Sequence, residues 1–178
     1  MRGIKLAERT LPLVRRQRFA LSFIEETTYI PKLLLDTTVY IDRLQDKLPL
    51  PVETALTGAT IWHSPVTASE LTILVGLLHP RHADTANTVE KILLASTHRP
   101  DARTITPDAA TWAEAGVLAG LIARLQQHGP ADRRRTLNDA LIYLSAARAG
   151  LTVLTRNVAD FDLLNQLQPQ GSVLFYEI

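Results

Sequence analysis

Short apolar runs separated by longer stretches of helical spacing constrain this chain more than any other feature. Residues 33–36, 60–63, 103–106, 151–155 and 171–178 read as strands. Between them, 39–47, 67–78, 81–96, 107–127, 137–149 and 161–167 read as helices, and 51–57 adds a helical turn or two. Pro65 and Pro80 bracket 67–78, Pro107 opens 107–127, and Gly150 follows 137–149 where a helix C-terminus favours glycine. Strand alternating with helix predicts an α/β fold of three layers, α/β/α. Its central, mostly parallel sheet has four to five strands and is covered on both faces.

A length of 178 residues favours one domain, and 46% apolar residues are enough for a real core. No apolar run approaches the length of a membrane span, and residues 1–30 lack the apolar core of a secretory leader, so neither is expected. The chain has no cysteine, which excludes disulfides and thiolate metal sites and fits a cytoplasmic setting. Net charge is +1 but uneven: residues 1–32 hold seven Lys or Arg and three Glu, and residues 33–178 hold twelve basic and fifteen acidic residues. Bulk charge therefore does not mark a nucleic-acid binder, and any such role must rest on a site.

Residues 1–31 form a basic extension ahead of a domain spanning 32–178. Segment 13–24 has the spacing of a short amphipathic helix with Arg15, Arg16 and Arg18 on its wet side. Two roles are open to it: steering phosphates, or packing through Leu11, Leu13, Val14, Phe19, Leu21 and Phe23.

In open parallel sheets, ligands gather beyond the C-terminal strand ends. Asp36 ends the first strand, Glu70 lies near the start of the helix after the second, Asp139 opens a helix, and Asp160 follows the strand 151–155. Each has a local alternative. Thr67 and Glu70 match a capping box, Asp160 could cap the next helix, Asp139 could answer a helix dipole, and Asp36 could be a turn residue. Taken together, carboxylates that share a crevice repel, so either a pKa rises or a cation enters. Hard oxygen ligands suit Mg²⁺, or Mn²⁺, rather than Zn²⁺.

The stretches "LLLDTTVYID", "SPVTASELTI" and "LNDALIYLSAARAGLTVLTRNVADF" resemble the acidic motifs of PIN-domain ribonucleases, nearest to the VapC-type toxins of type II toxin–antitoxin pairs. The segment "ITPDAATWAEAGVLAGLI" is similar to the strand and long helix that precede the third acid. The resemblance covers residues 33 to about 176, and the first 31 residues depart from the pattern. It implies a PIN-like fold and a metal-dependent ribonuclease whose catalytic and Mg²⁺-binding acids are Asp36, Glu70, Asp139 and Asp160. Relatives place the fourth acid either where Asn157 stands or at Asp160, and Asp160 is taken here with Asn157 as polar support. Thr38 falls where a hydroxyl or amide supports the first acid. RNA phosphates would meet Arg156 first, then Arg133, Arg134 and Arg135. The implied partners are an RNA substrate, a VapB-type antitoxin and a second copy of the chain. Two other readings remain: a haloacid-dehalogenase-like phosphatase with Asp36 as nucleophile, and a non-catalytic PIN-like RNA-binding module.

Overall fold

The structure, a computed structural model, describes residues 8–25, 28–79, 81, 85–97 and 100–178. Among these, strands β1 (Lys32–Leu35), β2 (Thr60–Trp62), β3 (Thr152–Thr155) and β4 (Ser172–Phe175) form one sheet in the order β2-β1-β3-β4. All three pairings are parallel, with Leu34 opposite Trp62 and Val153, and Leu154 opposite Leu174. The helices are α1 (Thr37–Leu44), α2 (Leu50–Gly58), α3 (Pro65–Leu77), α4 (Thr85–Thr97), α5 (Ala109–Gln126), α6 (Pro130–Ala149) and α7 (Val158–Leu167).

Side chains alternate across a strand, so each strand feeds two cores. Leu33, Leu35, Leu154 and Leu174 pack with Val39, Val52, Leu71 and Ile92 of α1 to α4. Leu34, Val153 and Phe175 pack on the other face with Ile122, Leu141 and Phe161 of α5, α6 and α7. This is the three-layer arrangement that the alternating pattern predicts. Strand order reverses between β1 and β3, which makes their C-terminal ends the crevice where an open α/β sheet binds ligands. No helix among the described residues is long and apolar enough to cross a membrane.

Three elements differ from expectation. Residues 103–106 do not make a full strand: a 3₁₀ turn at Asp101–Arg103 leads into a single bridge, His63 to Thr104, beside β2. Pro107 supplies no backbone donor, so the pairing stops. Helix α6 begins at Pro130, seven residues before the expected start, because Pro130 sits at its first turn, where no intrahelical donor is needed.

The third difference is the extension. Segment 13–24 is not an α-helix; only Arg18–Ala20 turns, as 3₁₀. Its residues 22–24 pair with β4 in a single bridge, where Ile24 donates to the Phe175 carbonyl and Phe175 donates to the Ser22 carbonyl, both at 2.8 Å. An open sheet edge offers unpaired backbone groups, and satisfying them outweighs a short isolated helix. Leu13 is buried in the core of α5 to α7. Leu11, Val14 and Phe19 stay exposed, so the expected six-residue apolar face is only partly used.

Candidate active site

The crevice at the ends of β1 and β3 is built from the N-terminal parts of three helices and one helix interior. Asp36 follows β1 and caps α1. Its Oδ2 accepts from the hydroxyls of Thr38 and Thr155, each at 2.7 Å, and from the Thr38 amide at 3.4 Å. The carboxylate is 2% exposed, and burial pushes its pKa up despite these donors. All three of these bonds fall on Oδ2.

Glu70 reaches the crevice by a route the sequence obscured. Ser64 caps α3 through the Val66 amide at 3.2 Å, with Pro65 at the first turn. Thr67 is therefore already inside the helix and donates to the Leu35 carbonyl at 3.4 Å, so Glu70 is not the partner of a capping box. Its two oxygens instead accept from the Thr37 hydroxyl and, at 2.8 Å, from the Asn138 amide. Burial, and more weakly the Asp36 charge, raise its pKa against those donors.

Asp139 lies in the middle of α6, far from either helix end, so a dipole role is excluded by position. It is 4% exposed. Burial, then the charges of Asp36, Asp160 and Glu70, hold its pKa well above the carboxylate range, opposed by Arg135 one turn earlier. Asp160 sits in the first turn of α7, whose cap is Asn157 rather than Asp160 itself. The Asn157 amide donates to Asp160 Oδ2 at 3.0 Å and Asp139 Oδ2 at 3.3 Å, bridging the third and fourth acids.

The four expected acids thus feel one another in one crevice, with Thr38 and Asn157 bonded to them. As they lie, no three described His, Asp or Glu side chains are drawn into a closed ligand group. Thr37, Asn138 and Asn157 donate into the space between the acids instead. The donor set is all hard oxygen, and among the described residues one guanidinium approaches it: Arg135 Nε lies 3.4 Å from Asp160 Oδ2 and is largely exposed. Four carboxylates against one half-solvated cation leave net negative charge, which fits a divalent ion of the Mg²⁺ class.

The arginines divide differently from expectation. Arg156 does not face the crevice with a free guanidinium: its fork holds the buried Asp42 at 2.8 and 3.0 Å. The Tyr176 hydroxyl donates to the same carboxylate at 2.7 Å, and burial and Asp42 push that phenol's pKa up. What Arg156 offers the site is its backbone amide, 3.1 Å from the Thr38 hydroxyl. Arg133 and Arg134 are exposed near the start of α6, and Arg135 is the member of the triplet that reaches an acid. Thr37, Asn138 and Thr155 went unnoticed in the sequence. Their only signal was adjacency, since each neighbours a candidate residue in "LDTT", "LND" or "LTRN".

No family model and no characterised protein sequence matches the chain. Solved structures do. The DNA-bound VapBC complex of Salmonella typhimurium matches with a TM-score of 0.55 at 18% identity, covering 83% of this chain and 98% of that one. FitAcB from Neisseria gonorrhoeae matches at 0.53 and 22% identity, over 80% and 96%. VapBC2 from Rickettsia felis, bound to a DNA fragment from its promoter, matches at 0.52 and 16%, over 83% and 99%. The likeness is one of fold: a four-stranded parallel sheet between helix layers, the PIN-like architecture of the VapC toxin subunit.

Proposed function

We propose that this protein is a metal-dependent ribonuclease that hydrolyses RNA phosphodiester bonds and acts as the toxin of a toxin–antitoxin pair. The carrying observation is Asp139, buried among three other carboxylates with no ion pair of its own among the described residues. A stable protein keeps such a group only where something compensates it. The PIN-like fold, shared with toxin subunits crystallised as toxin–antitoxin complexes, supports the same reading.

Asp36, Glu70, Asp139 and Asp160 would hold Mg²⁺, with Mn²⁺ as a substitute. When bound, the ion supplies charge stabilisation at the phosphate and a more acidic water. The chain's own residues do the rest. Thr38 and Thr155 hold Asp36 by one oxygen and fix its orientation toward the crevice. Asn157 keeps the third and fourth acids at one amide's reach. Asp139, its pKa raised, is the carboxylate suited to accept the proton of an attacking water. Arg135 stands at the rim, where a phosphate entering an acidic crevice needs a positive neighbour. The partners follow from the same reading: a VapB-type antitoxin that covers the crevice, and a second copy of the chain.

The test is cleavage of single-stranded RNA by purified protein in Mg²⁺ and in EDTA, with Asp139→Asn alongside and p-nitrophenyl phosphate as a second substrate. The reading expects Mg²⁺-dependent RNA cleavage lost in the variant and no phosphatase turnover. Cleavage that survives both EDTA and Asp139→Asn would sink it.

A further inference from the structure

The extension is the part of the chain that departs from the family pattern, yet it makes the most deeply buried ion pair among the described residues. Arg16 Nε lies 2.5 Å from Asp162 Oδ1, and the Arg16 backbone amide donates to Asp162 Oδ2 at 2.8 Å. The Asp162 side chain is fully buried, whereas Arg16 is 35% exposed. The other tine of the fork, Nη2, donates to Asn165 Oδ1 at 2.7 Å. Asn165 in turn donates to the Tyr143 hydroxyl at 3.0 Å and to the Gly171 carbonyl at 2.8 Å. Tyr143 is completely buried and presses so closely on Gly171 that a Cβ there would lie 2.4 Å from its ring.

These contacts end on the two helices that carry the third and fourth acids. Asp162 lies two residues beyond Asp160 on α7. Tyr143 lies four residues beyond Asp139 on α6, one turn along the same face. One guanidinium therefore grips α7 directly and α6 through Asn165. The strap that carries it is itself anchored: Gln126 of α5 donates to the Leu13 carbonyl at 2.9 Å and Gln166 of α7 to the Val14 carbonyl at 3.0 Å.

We propose that Arg16 is a positioning residue for the acidic crevice: by bracing α6 against α7 from behind, it sets the separation of Asp139 and Asp160. This rests on the reading of the crevice as a metal site. It assigns the extension a part in building the site rather than in steering RNA. The planar fork is essential, because a lysine can neutralise Asp162 but cannot hold Asp162 and Asn165 at once.

The test titrates Mn²⁺ calorimetrically into the metal-free full chain at a temperature well below melting. Wild type is compared with Arg16→Gln, Arg16→Lys and, as control, Arg18→Gln, which removes a surface pair with Glu177 and a contact over the Phe23 ring while leaving Asp162 and Asn165 untouched. Amide hydrogen exchange on α6 and α7 is measured on the same metal-free samples. The brace predicts Mn²⁺ affinity weakened about 10-fold or more in both Arg16 variants, within the range for residues that orient ligands. It predicts melting largely restored in Arg16→Lys, faster exchange on α6 and α7 in both, and no change in Arg18→Gln. Wild-type affinity in either Arg16 variant overturns it, since Arg16 would then be a counter-charge for Asp162 and no more. If wild type itself binds no Mn²⁺, the metal reading fails instead. The exchange data then decide the brace, which falls if α6 and α7 exchange as in wild type.

Discussion

Two sets of buried carboxylates share this molecule and are treated in opposite ways. Asp42 and Asp162 each sit on an arginine fork, from Arg156 and Arg16, and the pairs tie distant segments together. Asp36, Glu70 and Asp139 are met by hydroxyls, amides and one another's charge. A buried acid with its own cation is part of the scaffold; on the proposed reading, one held by neutral donors beside like charges is kept for a cation that comes from outside. The cation next to Asn157 in sequence, Arg156, belongs to the first set, its Nε and Nη2 both engaged by Asp42.

The largest expected effect is on catalysis. Asp139→Asn should lower the rate of RNA cleavage at least about 100-fold, since it removes a proton acceptor and a ligand charge together. The same variant should fold normally and melt no lower than wild type without metal. A metal-free variant that melts well below wild type would move Asp139 into the scaffold set.

Next comes the scaffold itself. Arg156→Met leaves Asp42 buried with the Tyr176 hydroxyl as its one side-chain partner among the described residues. Breaking a buried pair by removing one member costs several kcal/mol. Because the Arg156 side chain is 39% exposed, a loss of about 2–3 kcal/mol in urea unfolding is expected. A loss near zero would show that Asp42 needs no counter-charge and would erase the contrast.

The two sets should also differ in pH dependence. For Asp36, Glu70 and Asp139 the folded-state pKa is raised, so the folded protein binds more protons than the unfolded chain. Their contribution is most favourable below the unfolded pKa of about 4 and is lost as pH rises through the folded values. Metal-free stability should therefore decline as pH rises from about 4, and Asp139→Asn should flatten that decline. Thermal melts from pH 4 to 8 measure it. A steeper slope in the variant would mean that Asp139 is stabilised as the anion.

The smallest effect concerns Arg135, the cation at the rim. Arg135→Gln should weaken single-stranded RNA binding and reduce its salt slope by about 0.7, one phosphate contact's worth. An unchanged slope would assign Arg135 to its intramolecular partners Asp160 and Asp132.

Much of this was legible in the sequence, and the misses have physical reasons. The strands around Leu33–Leu35 and Val153–Leu154 were readable because a strand buried on both faces must be apolar throughout. Glu70 seemed to have a second role as a capping partner, because Thr67 and Glu70 have the right spacing. Only the observed start of α3 at Pro65 removes it. Segment 13–24 carries a helical pattern locally, but a free edge of β4 takes its backbone instead. That competition is between segments about 150 residues apart, which no local pattern encodes.

What the sequence determined by itself was therefore the alternation, the two-faced sheet and the places of the four acids along the elements, since spacing and polarity are local properties. Tertiary structure alone decided which acids carry their own cation. Asp42 and Asp36 are both aspartates on or beside α1, and no composition separates them. Arg156, 114 residues away, reaches the first and not the second. Charge compensation acts over a few ångströms of space and is indifferent to distance along the chain, so it exists only once the chain has folded.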